Sequence, residues 1–444
     1  MATTTVLLML GLLILLIVLG VHIVLSLIVC SFLGIYLALG SLHPALSLLQ
    51  QTAYEGLRDY IFAVIPLFML MGDFIARSGA AGDLYKIVNR GLRRVPGRLA
   101  VATVVGNAIF AAVTGVSIAA AAAFTRIAYP QMIRFGYDRT NAVGVIAGSA
   151  CLGMLIPPSV LLIVWGILTE DSIGRLFVAG ILPGILLACL FAAYVFISAL
   201  VQPEKWGQTD MAAAAAAAGL DPAEERVTWR EYGGALGVIA MIALVLGGIW
   251  GGGFTPTEAG GVGAFGGFVV AVLKGMKPRD LLHAVYECGR TSAPILLLLI
   301  AAQMYSRLLA IGGVGNFIES ILGDATSDPF IMLAVMVAIW LALGTLLDSV
   351  SIILLTVPLF APLAWAAGWP PYAFAIIGVL AIEAGLLTPP FGILVYSVKG
   401  FLDDKSVTLG QIFYGSIPYW IMILITMLAV ALVPGLGQWL PMAM

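Results

Sequence analysis

The chain has 444 residues, 61% of them hydrophobic and 10% charged, with a mean hydropathy of +1.09 and a formal net charge of −2. A soluble domain carries about 25% charged residues, so this is the composition of an integral membrane protein with no sizeable soluble domain. Near-balance between 21 basic and 23 acidic residues excludes nucleic acid as a partner, and four cysteines without a C-x-x-C plus three scattered histidines exclude a zinc, haem or disulfide framework.

Unbroken apolar stretches such as Val6 to Gly40 lack the two-residue alternation of a barrel strand, so every run is read as helix. The runs cover 6–19, 21–40, 60–76, 99–128, 140–168, 176–200, 232–252, 256–273, 291–310, 330–361, 372–399 and 411–435. Met1 to Thr5 has no basic residue ahead of the first run and reads as the start of a retained helix rather than a secretory signal. Next come six basic residues, Arg77, Lys86, Arg90, Arg93, Arg94 and Arg98, which the positive-inside rule assigns to the cytoplasm. Run 99–128 begins and ends beside basic residues, so it leaves the cytoplasm and returns to it. Its centre, Val113-Thr114-Gly115-Val116-Ser117, reads as the tip of a re-entrant hairpin rather than an ordinary small-residue turn.

Run 140–168 is interrupted at Gly153-Met154-Leu155-Ile156-Pro157-Pro158. The stretch 202–231 holds nine charges and the alanine run 212–218, which has no amphipathic face and reads as a linker. Thr255-Pro256-Thr257-Glu258 has the form of a helix start, with proline and an acid in the first turn. Run 330–361 is a second hairpin with Leu347-Asp348-Ser349-Val350-Ser351 at its centre, and run 372–399 breaks at Gly385-Leu386-Leu387-Thr388-Pro389-Pro390.

These pairings are periodic. A shift of 232 residues aligns Gly20 with Gly252, Ser117 with Ser349, Pro130 with Pro362 and Gly136 with Gly368, and superposes the two G-x-x-x-P-P segments. The counterpart of the basic stretch, 309–330, has no basic residue and carries Glu319, Asp324 and Asp328. Likewise 358–371 is uncharged where the first half has Arg126, Arg134 and Arg139. Equivalent loops therefore lie on opposite faces, and the expected organisation is a first repeat over 1–201, a linker over 202–231 and a second, inverted repeat over 232–444. Inverted repeats with broken helices are the architecture of secondary transporters, whose sites lie near the midplane between the halves.

Proline lacks an N–H, so Pro157 and Pro158 leave the carbonyls of Gly153 and Met154 without helical donors, and Pro389 and Pro390 do the same for Gly385 and Leu386. One such proline would be a packing kink; two matched pairs facing hydroxyl-bearing tips make an oxygen-rich nest for a hard cation such as sodium. The expected sodium ligands are drawn from Thr114, Gly115, Ser117, Gly153, Met154, Pro157, Asp348, Ser349, Ser351, Gly385, Leu386 and Thr388. An ionisable side chain inside an apolar run costs about 2.5–3.5 kcal/mol, so Asp348, Glu383 and Arg307 are functional or paired, although Arg307, near a helix end, alternatively snorkels. The expected substrate contacts are Ser117, Ser159, Arg307, Asp348, Ser349, Glu383 and Pro390.

The segments Ile65-Pro66-Leu67-Phe68-Met69, Thr255-Pro256-Thr257-Glu258-Ala259, Asp348-Ser349-Val350-Ser351-Ile352-Ile353-Leu354-Leu355-Thr356-Val357-Pro358 and Glu383-Ala384-Gly385-Leu386-Leu387-Thr388-Pro389-Pro390 resemble those of the large membrane (M) subunit of tripartite ATP-independent periplasmic (TRAP) transporters, and the resemblance covers nearly the whole chain. It implies an all-α polytopic protein of the bacterial inner membrane, an inverted-repeat elevator with two re-entrant hairpins and proline-broken helices. It further implies uptake of organic acids coupled to sodium ions, with no other cofactor. The implied partners are a small four-helix membrane subunit, expected as a separate chain, and a periplasmic substrate-binding protein. A stand-alone sodium-dicarboxylate symporter of a related elevator fold is the alternative; an aspartyl protease is excluded because Asp348 has neither a G-x-G-D setting nor a partner aspartate. One departure stands out: the family's first hairpin reads Ser-Gly-Ser-x-x-Ala-Asp, whereas this chain has Thr114-Gly115-Val116-Ser117-Ile118-Ala119-Ala120, so no charged role carries over to position 120.

Overall fold

A computed structural model describes residues 2–207, 227–313 and 328–444. The alanine run 212–218, Glu319 and Asp324 lie outside the described residues. The first half contributes α1 (Ala2–Val18), α2 (Ile23–Leu39), α3 (Leu42–Arg58), α4 (Val64–Ser78), α5 (Ala80–Gly91), α6 (Arg98–Thr114), α7 (Ser117–Arg134), α8 (Arg139–Ala150), α9 (Leu152–Leu155), α10 (Val160–Thr169) and α11 (Ile173–Val201). The second contributes α12 (Trp229–Trp250), α13 (Pro256–Leu273), α14 (Pro278–Ile311), α15 (Pro329–Gly344), α16 (Ser349–Ala366), α17 (Pro371–Gly385), α18 (Ile393–Phe401), α19 (Leu409–Leu432) and α20 (Gly435–Met442). Eight helical stretches among the described residues are long and apolar enough to cross a membrane, so the protein is an all-α, multi-pass membrane protein.

The helices follow the sequence repeat closely. Adding 232 to the bounds of α7, 117–134, gives 349–366, the bounds of α16; the same shift carries the start of α8, 139, onto that of α17, 371. Both Pro-Pro bonds, 157–158 and 389–390, are cis. Among the described residues the largest departure from this register is that α3 and α4 are separate, whereas their counterpart is the single 34-residue α14. Asp59 makes the difference. Its carboxylate accepts from Ile61 N–H at 3.0 Å and starts a 3-10 turn after α3, but the equivalent residue, Thr291, folds its hydroxyl back onto the Glu287 carbonyl at 2.9 Å within the helix.

Several boundaries differ from the sequence reading. The hairpins extend to Arg134 and Ala366 rather than 128 and 361, because Pro130, Pro358 and Pro362 are carried inside helices, which neighbouring helices in a membrane tolerate. The helices α3 and α5 were not among the apolar runs. In α3 the buried residues Ala45, Leu49, Thr52 and Gly56 recur every three or four positions behind a polar face, and α5 lies within the basic stretch. The second half begins at Trp229 rather than 232, since Thr228 and Glu231 form a capping box. Glu258 caps α13 as expected, accepting from Thr255 N–H at 2.8 Å.

Packing separates a frame from a core. In the frame α4 lies along α13 and α2 along α14, while α5 packs on α12, held by Lys86–Glu231 at 2.6 Å, and is tied to the end of α13 by a Lys274–Asp83 pair. In the core α8, α10 and α17 are buried along almost their whole length. The rings of Trp165 of α10, Trp340 of α15 and Phe374 of α17 meet tilted or edge to face with centroids 5.4–6.1 Å apart, and Trp340 Nε1 donates to Thr356 Oγ1 of α16 at 2.8 Å. Such aromatic contacts add about 0.5–1.5 kcal/mol each beyond their buried area, so both arms of the second hairpin are fixed to α10 and α17. Frame and core meet where α5 and α4 touch α6 and where α14 touches α16.

Candidate functional site

Each hairpin is two helices joined by a minimal break. Between α6 and α7 only Gly115 and Val116 are non-helical, and Gly115 takes φ 62°, a left-handed conformation that favours glycine. A Cβ there would also lie 2.5 Å from the Pro158 carbonyl oxygen, while Val160 N–H donates to the Gly115 carbonyl at 3.1 Å. The first tip is thereby seated on the first proline break. Gly153 holds the same contact from the other side, because a Cβ on it would meet Ser117 backbone at 2.9 Å.

The second tip spans 345–348. Gly344 at the end of α15 and Gly385 at the end of α17 approach so closely that a Cβ on either would fall 2.6–2.7 Å from the other's Cα. This puts Ser349, the first residue of α16, beside the last turn of α17.

That last turn carries Glu383, 1% exposed. Ser117 Oγ donates to Glu383 Oε2 at 2.7 Å, and Ser349 Oγ donates to Oε1 at 3.3 Å. One carboxylate thus joins both tips, each through the first residue of a helix. The N-terminal ends of α7 and α16 favour negative charge there, whereas the C-terminal end of α17 opposes it. Cys151, the counterpart of Glu383 under the 232-residue shift, donates from Sγ to the Glu383 carbonyl at 3.8 Å. Sequence reasoning missed Cys151; applying the repeat shift to Glu383 would have found it.

The expected residues divide into those at this centre and those turned elsewhere. Ser117, Ser349 and Glu383 meet, with Gly115, Gly153 and Gly385 packed around them. Asp348 is exposed and caps α16: Oδ1 accepts from Val350 and Ser351 N–H at 3.1 and 3.0 Å, and Oδ2 accepts from Ser351 Oγ at 2.5 Å. Asp348 thus acts as a helix cap at the exposed side of the tip. Arg307 is turned to the frame, where Nη2 donates to Glu55 Oε2 of α3 at 2.5 Å; it is a paired residue, not a member of the centre. Ser159 caps α10, accepting from Leu162 N–H at 3.3 Å and donating to the Met154 carbonyl at 2.5 Å.

The proline-freed carbonyls also find donors. Gly385 accepts from Thr388 N–H at 2.9 Å and Leu386 from Leu394 N–H at 3.3 Å. Thr114 and Thr388 fold their hydroxyls back onto the Phe110 and Ala384 carbonyls. A carbonyl has two lone pairs, so these oxygens keep one side available to a cation; of the four carbonyls, those of Met154, Gly385 and Leu386 each accept one hydrogen bond. The two breaks differ in access: Pro157 and Pro158 are buried, whereas Pro389, Pro390 and Phe391 are exposed, as is Asp348. Ala120, one turn into α7, is fully buried.

Taken together, a buried carboxylate, two hydroxyls and nearby carbonyls form an all-oxygen donor set suited to a hard monovalent cation. A family model described as "Tripartite ATP-independent periplasmic transporter, DctM component" matches residues 10–436. A C4-dicarboxylate TRAP transporter large permease protein of Pseudomonas aeruginosa is 30% identical over 87% of this chain and 88% of its own length. An ectoine/5-hydroxyectoine TRAP transporter large permease protein of Ruegeria pomeroyi is 28% identical over 96% of both. The crystal structure of the YdaH transporter of Alcanivorax borkumensis shares the fold, with a TM-score of 0.58 at 15% identity over 90% of both chains.

Proposed function

The chain belongs to the DctM-component family of tripartite ATP-independent periplasmic transporters, and from that premise we propose that it is the large membrane subunit of a sodium-coupled importer of an organic acid. It is a transport component and not an enzyme. In this reading it sits in the bacterial inner membrane beside a small membrane subunit, receives substrate from a periplasmic binding protein, and carries it by an elevator motion of the core against the frame. The inverted orientation of the halves, argued from loop charge, belongs to the same proposal. Support for an organic acid comes from relatives whose names specify C4-dicarboxylates and ectoine.

The observation that carries the proposal is the Ser117–Glu383–Ser349 bridge. A buried carboxylate repels an anionic substrate; at an effective dielectric of 20, two unit charges roughly 5 Å apart cost about 3 kcal/mol. A cation bound among the surrounding oxygens cancels that repulsion, so it must arrive before the substrate anion. Coupling then follows from charge alone: without the cation the organic acid binds more than a hundredfold more weakly. Reconstitution into liposomes with the small subunit and the binding protein tests this. Uptake should follow an inward sodium gradient, and apparent substrate affinity should rise with sodium concentration. Full-rate uptake with potassium in place of sodium would refute it.

A further inference from the structure

Beyond the transport site, the sequence stretch Arg93-Arg94-Val95-Pro96-Gly97-Arg98 lines a cavity of about 80 Å³ with Tyr137, Ala199, Pro203, Trp206 and Gly207. We propose that this cavity is a binding site for the phosphodiester headgroup of an anionic phospholipid.

Charge comes first. Among the described residues that line the cavity, three are arginines and none is a carboxylate. Arg93 and Arg94 are exposed, while Arg98 is only 5% exposed and still lines the cavity. Guanidinium groups bind phosphate oxygens in bidentate fashion and give up hydration more readily than ammonium groups. The nearest acid in sequence to the lining aromatics, Asp138, is engaged in capping α8 through Asn141 N–H at 3.1 Å.

The walls are preformed. Tyr137 and Trp206 pair as an antiparallel bridge with rings edge to face at 6.3 Å, and Asp138 N–H donates to the Lys205 carbonyl at 3.0 Å. Trp206 Nε1 donates to Ser198 Oγ at 2.8 Å, and Tyr137 Oη accepts from Leu99 N–H at 3.2 Å. Gly97 and Gly207 take φ 66° and 77°, and a Cβ on Gly207 would strike the Phe135 carbonyl at 2.7 Å. The space is several times the roughly 15 Å³ that one ordered water needs, enough for a tetrahedral anion.

Position selects the lipid. The cavity lies where α6 begins and α11 ends, at the boundary of two apolar helices, and the arginines belong to the stretch assigned to the cytoplasmic face. Basic pockets between helices on this face bind anionic headgroups. An occupant there would tie the base of the first hairpin, α6, to α11.

Binding of short-chain phosphatidylglycerol, short-chain phosphatidylcholine and inorganic phosphate to the detergent-purified full chain tests the proposal, read by thermal shift and by quenching of tryptophan fluorescence with brominated lipid. Phosphatidylglycerol should bind at least tenfold more tightly than phosphatidylcholine, and R93Q/R94Q should lose at least tenfold of that affinity. The charge control R134Q, at an exposed arginine outside the cavity, should lose less than twofold. If the double variant does not fold, R93Q and R94Q singly should each lose about threefold. Equal binding of the two lipids, or equal loss in R134Q, would overturn the site. Protection by inorganic phosphate equal to that by phosphatidylglycerol would overturn the lipid in favour of a free anion.

Discussion

Glu383 holds two hydroxyls that belong to different halves of the chain, and its substitutions should separate charge from shape. Glu383→Gln keeps the volume and both serine contacts, since a hydroxyl can also accept; it should fold normally and lose at least tenfold in sodium-dependent uptake. Glu383→Ala should be destabilised as well, by about 2 kcal/mol, because the buried Ser117 and Ser349 hydroxyls lose their acceptor. Thermal melts of both variants alongside uptake decide this: a folded Glu383→Gln protein with full sodium-coupled uptake would remove the carboxylate from the coupling step. Asp348 should behave differently. Both of its oxygens are occupied in capping, and asparagine caps as well as aspartate, so Asp348→Asn should melt like the wild type and Asp348→Ala should lose about 1 kcal/mol. From the sequence, the two acids were indistinguishable intramembrane charges. What separates them is which backbone amides lie within reach, and that depends on where α16 starts relative to α17.

Whole elements are positioned by contacts too close for any side chain. Gly344 and Gly385 bring α15 and α17 together at the second tip, and the opposing atoms are backbone, which cannot swing aside. Gly344→Ala should cost about 1–3 kcal/mol, the usual range for overpacking, and should lower uptake by displacing Ser349 from Glu383. Gly400→Ala, with nothing within 4 Å of its Cβ position, is the matched control, and an equal drop in melting temperature for both would contradict the packing argument. At the far end of α7, Asp404 accepts from Tyr129 Oη at 2.7 Å and from Arg139 Nε at 3.1 Å. Hydrogen bonds from Ser406 first, then from Tyr129, hold its carboxyl well below the usual carboxylate range. A depressed pKa contributes stability that is present above the ordinary aspartate value of about 4 and is lost as pH falls through the lower folded value. Melting temperature should therefore fall below about pH 4 more steeply in the wild type than in Asp404→Asn; parallel acid limbs would count against the contact. The element order was legible from apolar runs and Gly-Pro punctuation. Amphipathic α3 and α5 were not, because half of each faces away from the core and breaks the apolar pattern that marks a membrane run.

At the scale of the molecule, helix bounds in the two halves recur at an offset of 232 among the described residues, and Ser117 and Ser349 converge on a single carboxylate. The repeat was readable because Ser117/Ser349 and the two Pro-Pro pairs keep a constant offset; the Glu383 bridge was not, since it joins residues 266 and 34 positions apart and no local pattern encodes that contact. The partner of Arg307 was hidden for the same reason, Glu55 lying 252 positions away. The central claim is that the two copies are inverted, so that the tips reach one midplane site from opposite faces. Arg134 and Ala366 end α7 and α16, differ by 232 in number and are both exposed, which makes them matched reporters. With Cys30, Cys151, Cys189 and Cys288 replaced, single cysteines at these two positions can be labelled in spheroplasts with a membrane-impermeant maleimide. Ala366→Cys should react from outside and Arg134→Cys only after permeabilisation; reaction of both from the same side would contradict the inverted repeat and the shared site built on it.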